Sequence, residues 1–191
     1  MDTLVALTSR QSVPAAFLAE PAPDEAALER ILAAAASAPD HGKLRPWRFI
    51  VIRGEARARL GEVFVEALCR REPNPPEPAI EQERARPLRA PLQIAVAATV
   101  DPDHPKIPAI EQILSAGAAV QNMLLAAHAE GFGAKWVTGA NAYDDHVKGA
   151  LGLAAGDRLV GFIYLGTVEG EPPKVPHADP EAYTTEWHAP A

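Results

Sequence analysis

The sequence predicts a layered α/β or α+β domain. Segments with helical spacing of apolar residues alternate along the chain with short β-branched runs, and such an interspersed order is typical of these two fold classes. The 19 prolines cluster between those segments, where they interrupt regular structure and favour ordered loops. No internal repeat or linker is visible, so we expect residues 1–191 to form one domain with its own core.

Helices are predicted where apolar residues recur every three or four positions. The helix after the N-cap Asp24 should end before Pro39, because a residue that precedes proline disfavours the helical conformation. The other predicted helices are Thr3–Ser9, Glu55–Arg71, a charged turn or two at Ile80–Arg86, Pro108–Gly131 and Asp144–Leu151. The uncharged stretch Gln112–Ala129 falls short of the ~20 apolar residues of a membrane span. We therefore expect this long helix to be buried inside protein.

Strands are predicted at four places, Arg48–Arg53, Leu92–Val100, Ala134–Thr138 and Leu159–Gly166. The run Leu92–Val100 is almost entirely apolar, which is typical of a strand buried on both faces. The proline-rich tail after Thr167 is expected to be irregular.

Charge and cysteine content argue against several function classes. A net charge of −7 is the wrong sign for a nucleic-acid partner. The single cysteine, Cys69, excludes an intrachain disulfide and fits a reducing compartment, and no apolar leader precedes the first helix, so a cytoplasmic protein is expected. The six histidines show no ligand spacing, so no metal site is expected. Cys69 follows Leu68 in a predicted helix and is expected to lie in the core.

Two polar stretches precede the first long strand. Arg10-Gln11-Ser12 combines a guanidinium with a hydroxyl, which suits a phosphate, although a solvated helix end is the simpler interpretation of three residues alone. Residues 38–47, Ala-Pro-Asp-His-Gly-Lys-Leu-Arg-Pro-Trp, form a loop fixed by two prolines and a glycine. That loop is equally consistent with ligand contact and with a structural role in which Trp47 packs in the core.

A third stretch, Gly131–Ala140, has glycines on both sides of a short predicted strand. Glycine would let a planar ligand approach the backbone, and strand alternation predicts that Trp136 and Thr138 point the same way. Taken alone, the stretch is better explained by a core strand with glycine at its turns.

In this order, the three stretches resemble the nitroreductase-like family of FMN flavoproteins, and the resemblance covers nearly the whole chain. It is carried by Arg10 and Ser12, by Ala38-Pro39 with Pro46-Trp47, by the helix motif Ser115–Ala127, by Gly131–Trp136, and by the strand end Leu165–Thr167. The Pro39-Asp40-His41 version and the short length resemble the compact YdjA-like subgroup of NAD(P)H nitroreductases. The resemblance implies an α+β fold with a central mixed β-sheet flanked by helices. It also implies a homodimer with the long helix at its interface and FMN between the subunits, and the small residues Ser115–Ala119 would let two helices approach closely.

The resemblance also implies a cofactor site. The implied FMN contacts are Arg10, Gln11, Ser12, Pro39, Asp40, His41, Trp136, Val137, Thr138 and Gly139, with Lys174 as a candidate for the phosphate. A segment near NAD(P)H is implied at Ala126, Ala127, His128, Ala129, Glu130 and Gly131. No catalytic side chain is expected, because flavin N5 would carry hydride from NAD(P)H to a small acceptor such as a nitro compound or quinone, in ping-pong order.

Two departures from the family pattern bear on this expectation. Gln11 stands where many members have a second arginine, and the short connection between the middle strands lacks the helical lid of larger members. The missing lid argues against a nitroaromatic acceptor. The alternatives are a flavin store or sensor without reductase turnover, and a cofactor-free interaction protein that uses Gln112–Ala129 only as a dimer seam.

Overall fold

A five-stranded sheet forms the centre of the computed structural model, which describes residues 2–188. Its strands are β1 (Leu18–Ala19), β2 (Trp47–Arg53), β3 (Leu92–Ala98), β4 (Gly133–Val137) and β5 (Arg158–Val168). β5 is the hub of the sheet, since it pairs with β1, β3 and β4, and β2 pairs with β3.

Every strand pairing among residues 2–188 is antiparallel. The expected α+β class is confirmed, but the expectation of a mixed sheet is not met in this part of the chain. The apolar pattern of a strand shows which residues are buried, whereas the direction of its neighbour depends on long-range packing that the pattern does not record.

Six helices surround the sheet in the described residues. They are α1 (Thr3–Ser9), α2 (Glu25–Ala36), α3 (Glu55–Arg71), α4 (Glu77–Ala85), α5 (Ala109–Ala129) and α6 (Asp145–Ala150). α2 and α5 pack on one face of the sheet, and α3 with α6 packs on the other. Short 3₁₀ turns lie at Ala15–Phe17, His41–Lys43, Arg86–Arg89, Ala140–Ala142 and Pro180–Tyr183.

Strand β3 joins the two cores, because its side chains alternate between them. Ile94 and Val96 pack with α2 and α5, while Ala95 and Ala97 pack with α3. All seven residues of β3 are buried, so the prediction of a strand covered on both faces is confirmed.

Helix α5 is buried along one side only. Ala116, Ala119 and Met123 are fully buried within their own subunit, and Ala119 and Met123 pack against the sheet. Ile110 and Leu114 on the outer side are 59% and 63% exposed. The expectation that Ser115–Ala119 as a whole meets a second helix is therefore wrong for Ser115, Ala116 and Ala119, which are buried inside the subunit.

Two further differences from expectation have simple causes. Cys69 is exposed on the outer side of α3, because consecutive helical residues point about 100° apart and its neighbour Leu68 already takes the inward position. The charged stretch expected around 80–86 is the helix α4, which begins three residues earlier and is followed by a 3₁₀ turn. Within residues 2–188, no helix combines the length and apolar character needed to cross a bilayer.

Candidate functional site

The N-terminal segment 10–15 leaves α1 and runs close along β4. The Val13 N–H donates to the Ala134 carbonyl at 3.0 Å. Gly133 lies in a crowded position at this place, since a Cβ there would come within 2.7 Å of side-chain carbons of Leu18 and Val168 and 3.3 Å from Val13 Cβ. The segment that carries Arg10-Gln11-Ser12 is thus held beside the strand that contains the predicted contacts Trp136 and Val137.

One cavity beside this segment, called here the N-terminal cavity, has a volume of about 350 Å³. Arg10 and Gln11 line it together with Leu124 and His128 of α5, and with Gly131. Ser9 Oγ lies 2.9 Å from His128 Nε2, which ties the end of α1 to α5. The cavity therefore unites two predicted FMN contacts with two residues of the predicted NAD(P)H segment.

The C-terminal tail passes the same place. Gln11 Oε1 accepts a hydrogen bond from the Val175 backbone N–H at 3.2 Å. The preceding residue, Lys174, is exposed. Because Val175 is hydrogen-bonded to Gln11, the backbone of Lys174 lies close to the segment that carries Arg10. Contact of Lys174 with a phosphate stays a prediction.

A second cavity, called here the basic cavity, lies on the α3 face of the sheet and measures about 110 Å³. The predicted contacts Val137, Thr138 and Gly139 line it. Its other lining residues are Ala15, Phe64, Glu83, Arg86, Arg89, Lys135, Ala140, Asn141, Phe162 and Tyr164. Ala15 continues the segment that borders the N-terminal cavity, so both cavities flank β4 and residues 10–15.

Aromatic packing and burial shape the wall of the basic cavity. The Phe64 and Phe162 rings meet edge to face, with centroids 5.4 Å apart. The Tyr164 hydroxyl donates to the Arg86 carbonyl at 3.0 Å, and burial raises the pKa of Tyr164 above its ordinary value. Tyr164 is therefore a neutral hydrogen-bond donor that holds the turn carrying Arg86.

Trp136 does not join Thr138 at the basic cavity. Its Nε1 donates to the Val160 carbonyl at 3.1 Å, and its ring faces a cavity of about 670 Å³ that Leu114 and Tyr143 also line. The prediction that Trp136 and Thr138 point the same way is wrong, because β4 ends at Val137 and the alternation ends with it.

The loop after α2 is a tightly built turn at the other end of α5. His41 Nδ1 lies 2.5 Å from Glu111 Oε2, and Asp40 Oδ2 accepts from the Arg45 N–H at 2.6 Å. Gly42 has a φ of +74°, and a Cβ there would collide with Ile107 Cδ1. Trp47 packs partly buried against the core, so the loop combines the structural role and the polar surface that its sequence allowed.

The predicted FMN contacts therefore fall into two groups. Arg10 shares a cavity with His128, near the end of α5, while His41 contacts Glu111, near its start. At about 1.5 Å of rise per residue, these two helix positions are about 25 Å apart. The structure of one chain places Arg10 and Gln11 in one cavity beside β4 and Val137, Thr138 and Gly139 in another. It leaves Trp136 at a third cavity, and Pro39, Asp40 and His41 lie apart from all of these.

The segment predicted to lie near NAD(P)H is not uniformly accessible. Ala127 is fully buried, and Glu130 accepts two hydrogen bonds from Arg30, at 2.8 and 2.7 Å, which lower the pKa of Glu130. His128 and Gly131 border the N-terminal cavity, while Ala126 and Ala129 line a shallow site with α1. Contact with NAD(P)H stays a prediction, with His128 and Gly131 best placed for it.

The cations of the basic cavity were not singled out from the sequence. Arg86 and Arg89 are spaced three residues apart just before β3, and Lys135 alternates with Trp136 along β4. Such spacings are common on solvated surfaces, so the signal was weak. Only the pairing of β4 with β5 and the 3₁₀ turn before β3 bring the three side chains together.

No cluster of three or more metal-ligating side chains is found in the part of the chain that the structure describes.

Comparison with known proteins bears on both the fold and the site. A family model described as "Nitroreductase family" matches residues 7–167. The protein named "Putative NAD(P)H nitroreductase YdjA" from Escherichia coli K12 is 44% identical over 167 residues, covering 87% of this chain and 88% of that protein. These matches confirm the resemblance that the sequence motifs indicated.

Solved structures share the fold. A nitroreductase-like family protein from Bacillus cereus superimposes with a TM-score of 0.83 at 23% identity, covering 99% of this chain and 97% of that one. A nitroreductase with bound FMN from Bacteroides fragilis superimposes with a TM-score of 0.73 at 20% identity, covering 97% and 98%. The predicted nitroreductase-like fold is thereby confirmed.

Proposed function

Because this chain belongs to the nitroreductase family, we propose that it is an FMN-dependent oxidoreductase. It would use NAD(P)H to reduce a small organic acceptor such as a quinone or a nitro compound. The observation that carries the proposal is that Thr138 and Gly139, expected at a flavin from the resemblance alone, line a cavity with three cationic side chains.

The side chains present fit FMN. Arg10 offers the planar fork of donors that binds phosphate well, and Ser12 and Lys174 are exposed nearby. Arg86, Arg89 and Lys135 supply donors for the carbonyl oxygens of the ring's pyrimidine edge. At about 110 Å³ the basic cavity is below the ~300–1,000 Å³ of typical ligand sites, so we expect it to take one edge of the ring only.

FMN rather than FAD is proposed because the chain has no dinucleotide-binding fingerprint. When bound, FMN would supply the redox chemistry that couples oxidation of NAD(P)H to reduction of the acceptor. The chain's own residues would anchor the phosphate through Arg10, hold the ring edge in the basic cavity, and leave one face of the ring open.

We further propose a homodimer, since one chain does not bring all predicted FMN contacts together. If two copies pack with their α5 helices antiparallel, the start of one α5 lies beside the end of the other. The His41 loop of one copy would then reach the flavin held by Arg10 of its partner. Two-fold symmetry makes both sites equivalent.

The outer side of α5 supports this arrangement. Ile110 and Leu114 are exposed there, and Leu4, Val5 and Leu7 of α1, which contacts α5, are exposed as well. Large apolar side chains exposed at both ends of one helix favour an interaction surface along it. A second copy would cover it.

To test the proposal, the purified protein is reconstituted with flavin and studied under anaerobic conditions. Cofactor released by heat should be FMN on chromatography, and NADH or NADPH should bleach the bound flavin until an added quinone restores it. Protein that takes up no flavin, or only FAD, contradicts the proposal. Bound FMN that neither nicotinamide reduces would favour the flavin store or sensor instead.

A further inference from the structure

Glu83 is a buried carboxylate in a cavity whose other charged side chains are cationic. It lies in the last turn of α4 and is 9% exposed, and it lines the basic cavity with Arg86, Arg89 and Lys135. Burying a charged group is costly unless it is paired and hydrogen-bonded. The contacts of Glu83 therefore show how the structure retains a negative charge at this position.

Both carboxylate oxygens of Glu83 are occupied. Oε1 accepts from Arg86 Nε at 2.8 Å, and Oε2 accepts from Asn141 Nδ2 at 2.7 Å. Asn141 is itself 6% exposed and accepts from Arg71 Nη2 at 3.0 Å, and Arg71 is paired with Asp144. A chain of hydrogen bonds thus fixes Glu83 to α3 and to the start of α6.

This geometry leaves Arg86 available to a ligand. Glu83 engages only Nε of the guanidinium, and the two terminal nitrogens carry four of its five donors. The Arg86 backbone is held as well, through its carbonyl and Tyr164. The cavity therefore presents three cations with a single carboxylate among them.

We propose that Glu83 lowers the redox potential of bound FMN by offsetting part of this positive charge. The inference rests on the proposed function, which places the pyrimidine edge of the ring in the basic cavity. Reduction increases the negative charge on that edge, so cationic donors bind reduced FMN more tightly than oxidised FMN. A fixed carboxylate nearby opposes this preference and makes the reduced cofactor a stronger donor of electrons.

The substitution Glu83→Gln tests the inference, since it removes the charge while keeping an oxygen that can accept from Arg86 Nε. Glu81→Gln is the matched control, because Glu81 lies on the same helix with its side chain 60% exposed and pairs with Arg84. The measurements are the midpoint potential of bound FMN in an anaerobic titration, the FMN dissociation constant, and thermal unfolding of the cofactor-free protein.

In Glu83→Gln, we expect the preference for reduced over oxidised FMN to be about tenfold greater than in the wild type. This corresponds to a rise of about 30 mV in the midpoint potential of a two-electron couple. Glu81→Gln should match the wild type. A second variant, Arg86→Gln, should shift the potential in the opposite direction by a similar amount, and it supplies the measurement if Glu83→Gln does not fold.

A folded Glu83→Gln variant with altered thermal stability but an unchanged potential would overturn the inference, and so would an unchanged potential in Arg86→Gln. Glu83 would then be a structural contact only, and the proposed function would stand. Wild-type protein that takes up no FMN gives a different result, because it overturns the proposed function and the inference with it.

Discussion

Arg10 and His41 lie at opposite ends of α5. Arg10 shares a cavity with His128, whereas His41 contacts Glu111, and these two helix positions are about 25 Å apart along the axis. Both residues are expected to contact one FMN. A single chain does not satisfy that expectation, so the flavin site we propose needs two copies of the chain.

Arg10 is predicted to anchor the FMN phosphate. A hydrogen bond between charged groups contributes about 1.5–3 kcal/mol, so Arg10→Ala should weaken FMN binding by roughly ten- to a hundredfold. Titration of the cofactor-free protein with FMN measures this. The control is Arg59→Ala on α3, where the guanidinium is 80% exposed and pairs with Glu55 at 3.6 Å. Equal FMN affinity in both variants would show that the anchor lies elsewhere.

The kinetics are predicted to be ping-pong. If NAD(P)H and the acceptor use the same open face of the flavin in turn, no ternary complex forms. Double-reciprocal plots at several fixed acceptor concentrations should then be parallel. Intersecting lines, together with product inhibition that indicates a ternary complex, would contradict a shared face.

The exposed side of α5 is predicted to be the dimer interface. Leu114→Glu should yield a species of 20.3 kDa, the mass of one chain, and should lose FMN, because a charge buried in an apolar interface has no partner. Sedimentation at low micromolar concentration with absorbance at the flavin band measures both. Ala58→Glu is the control, since Ala58 is exposed on α3 on the other face of the sheet. A Leu114→Glu dimer with full FMN would be evidence against this interface.

Asp144 is predicted to make stability depend on pH. Burial raises the pKa of Asp144, but the hydrogen bonds from Arg71 and from the Val147 and His146 N–H groups lower it by more. The net effect is a pKa below the ordinary aspartate value. Since the native pKa is lowered, the stabilisation is present above the ordinary aspartate pKa of about 3.9 and is lost as pH falls through the native value.

The variant Asp144→Asn keeps a good N-cap for α6 and removes the charge. It should cost about 1–2 kcal/mol near neutral pH, and the difference from wild type should shrink as pH falls below about 4. Urea unfolding across this range measures it, with Asp103→Asn in an exposed loop as the control. A difference that stays constant with pH would contradict the role of the charge.

Much of the fold could be predicted because local patterns specify it. The bounds of α3 were predicted as Glu55–Arg71 and are observed there, since its apolar face is a regular helical stripe. The unbroken apolar run of β3 correctly indicated burial on both faces. The two-residue strand β1 is too short to carry a pattern.

The site was predictable only where the chain itself carries the motif. Arg10 and Thr138 belong to recognisable stretches, and each lines a cavity of the candidate site. Glu83 on α4 and Lys135 on β4 line the same cavity although they are far apart in sequence. Their proximity depends on the tertiary fold, and no local spacing of residues predicts it. The separation of His41 from Arg10 likewise depends on which end of α5 each loop reaches.

The most direct test of the account is complementation between two defective subunits. Arg10→Ala and His41→Ala chains with different tags are co-expressed, and the mixed dimer is purified through both tags. In the proposed arrangement, one of its two sites pairs the intact Arg10 of one chain with the intact His41 of the other. We therefore expect the mixed dimer to bind about one FMN per dimer with wild-type affinity, while each parent dimer binds FMN weakly. A mixed dimer whose FMN affinity at both sites is no better than that of its parents would contradict a flavin site shared between subunits.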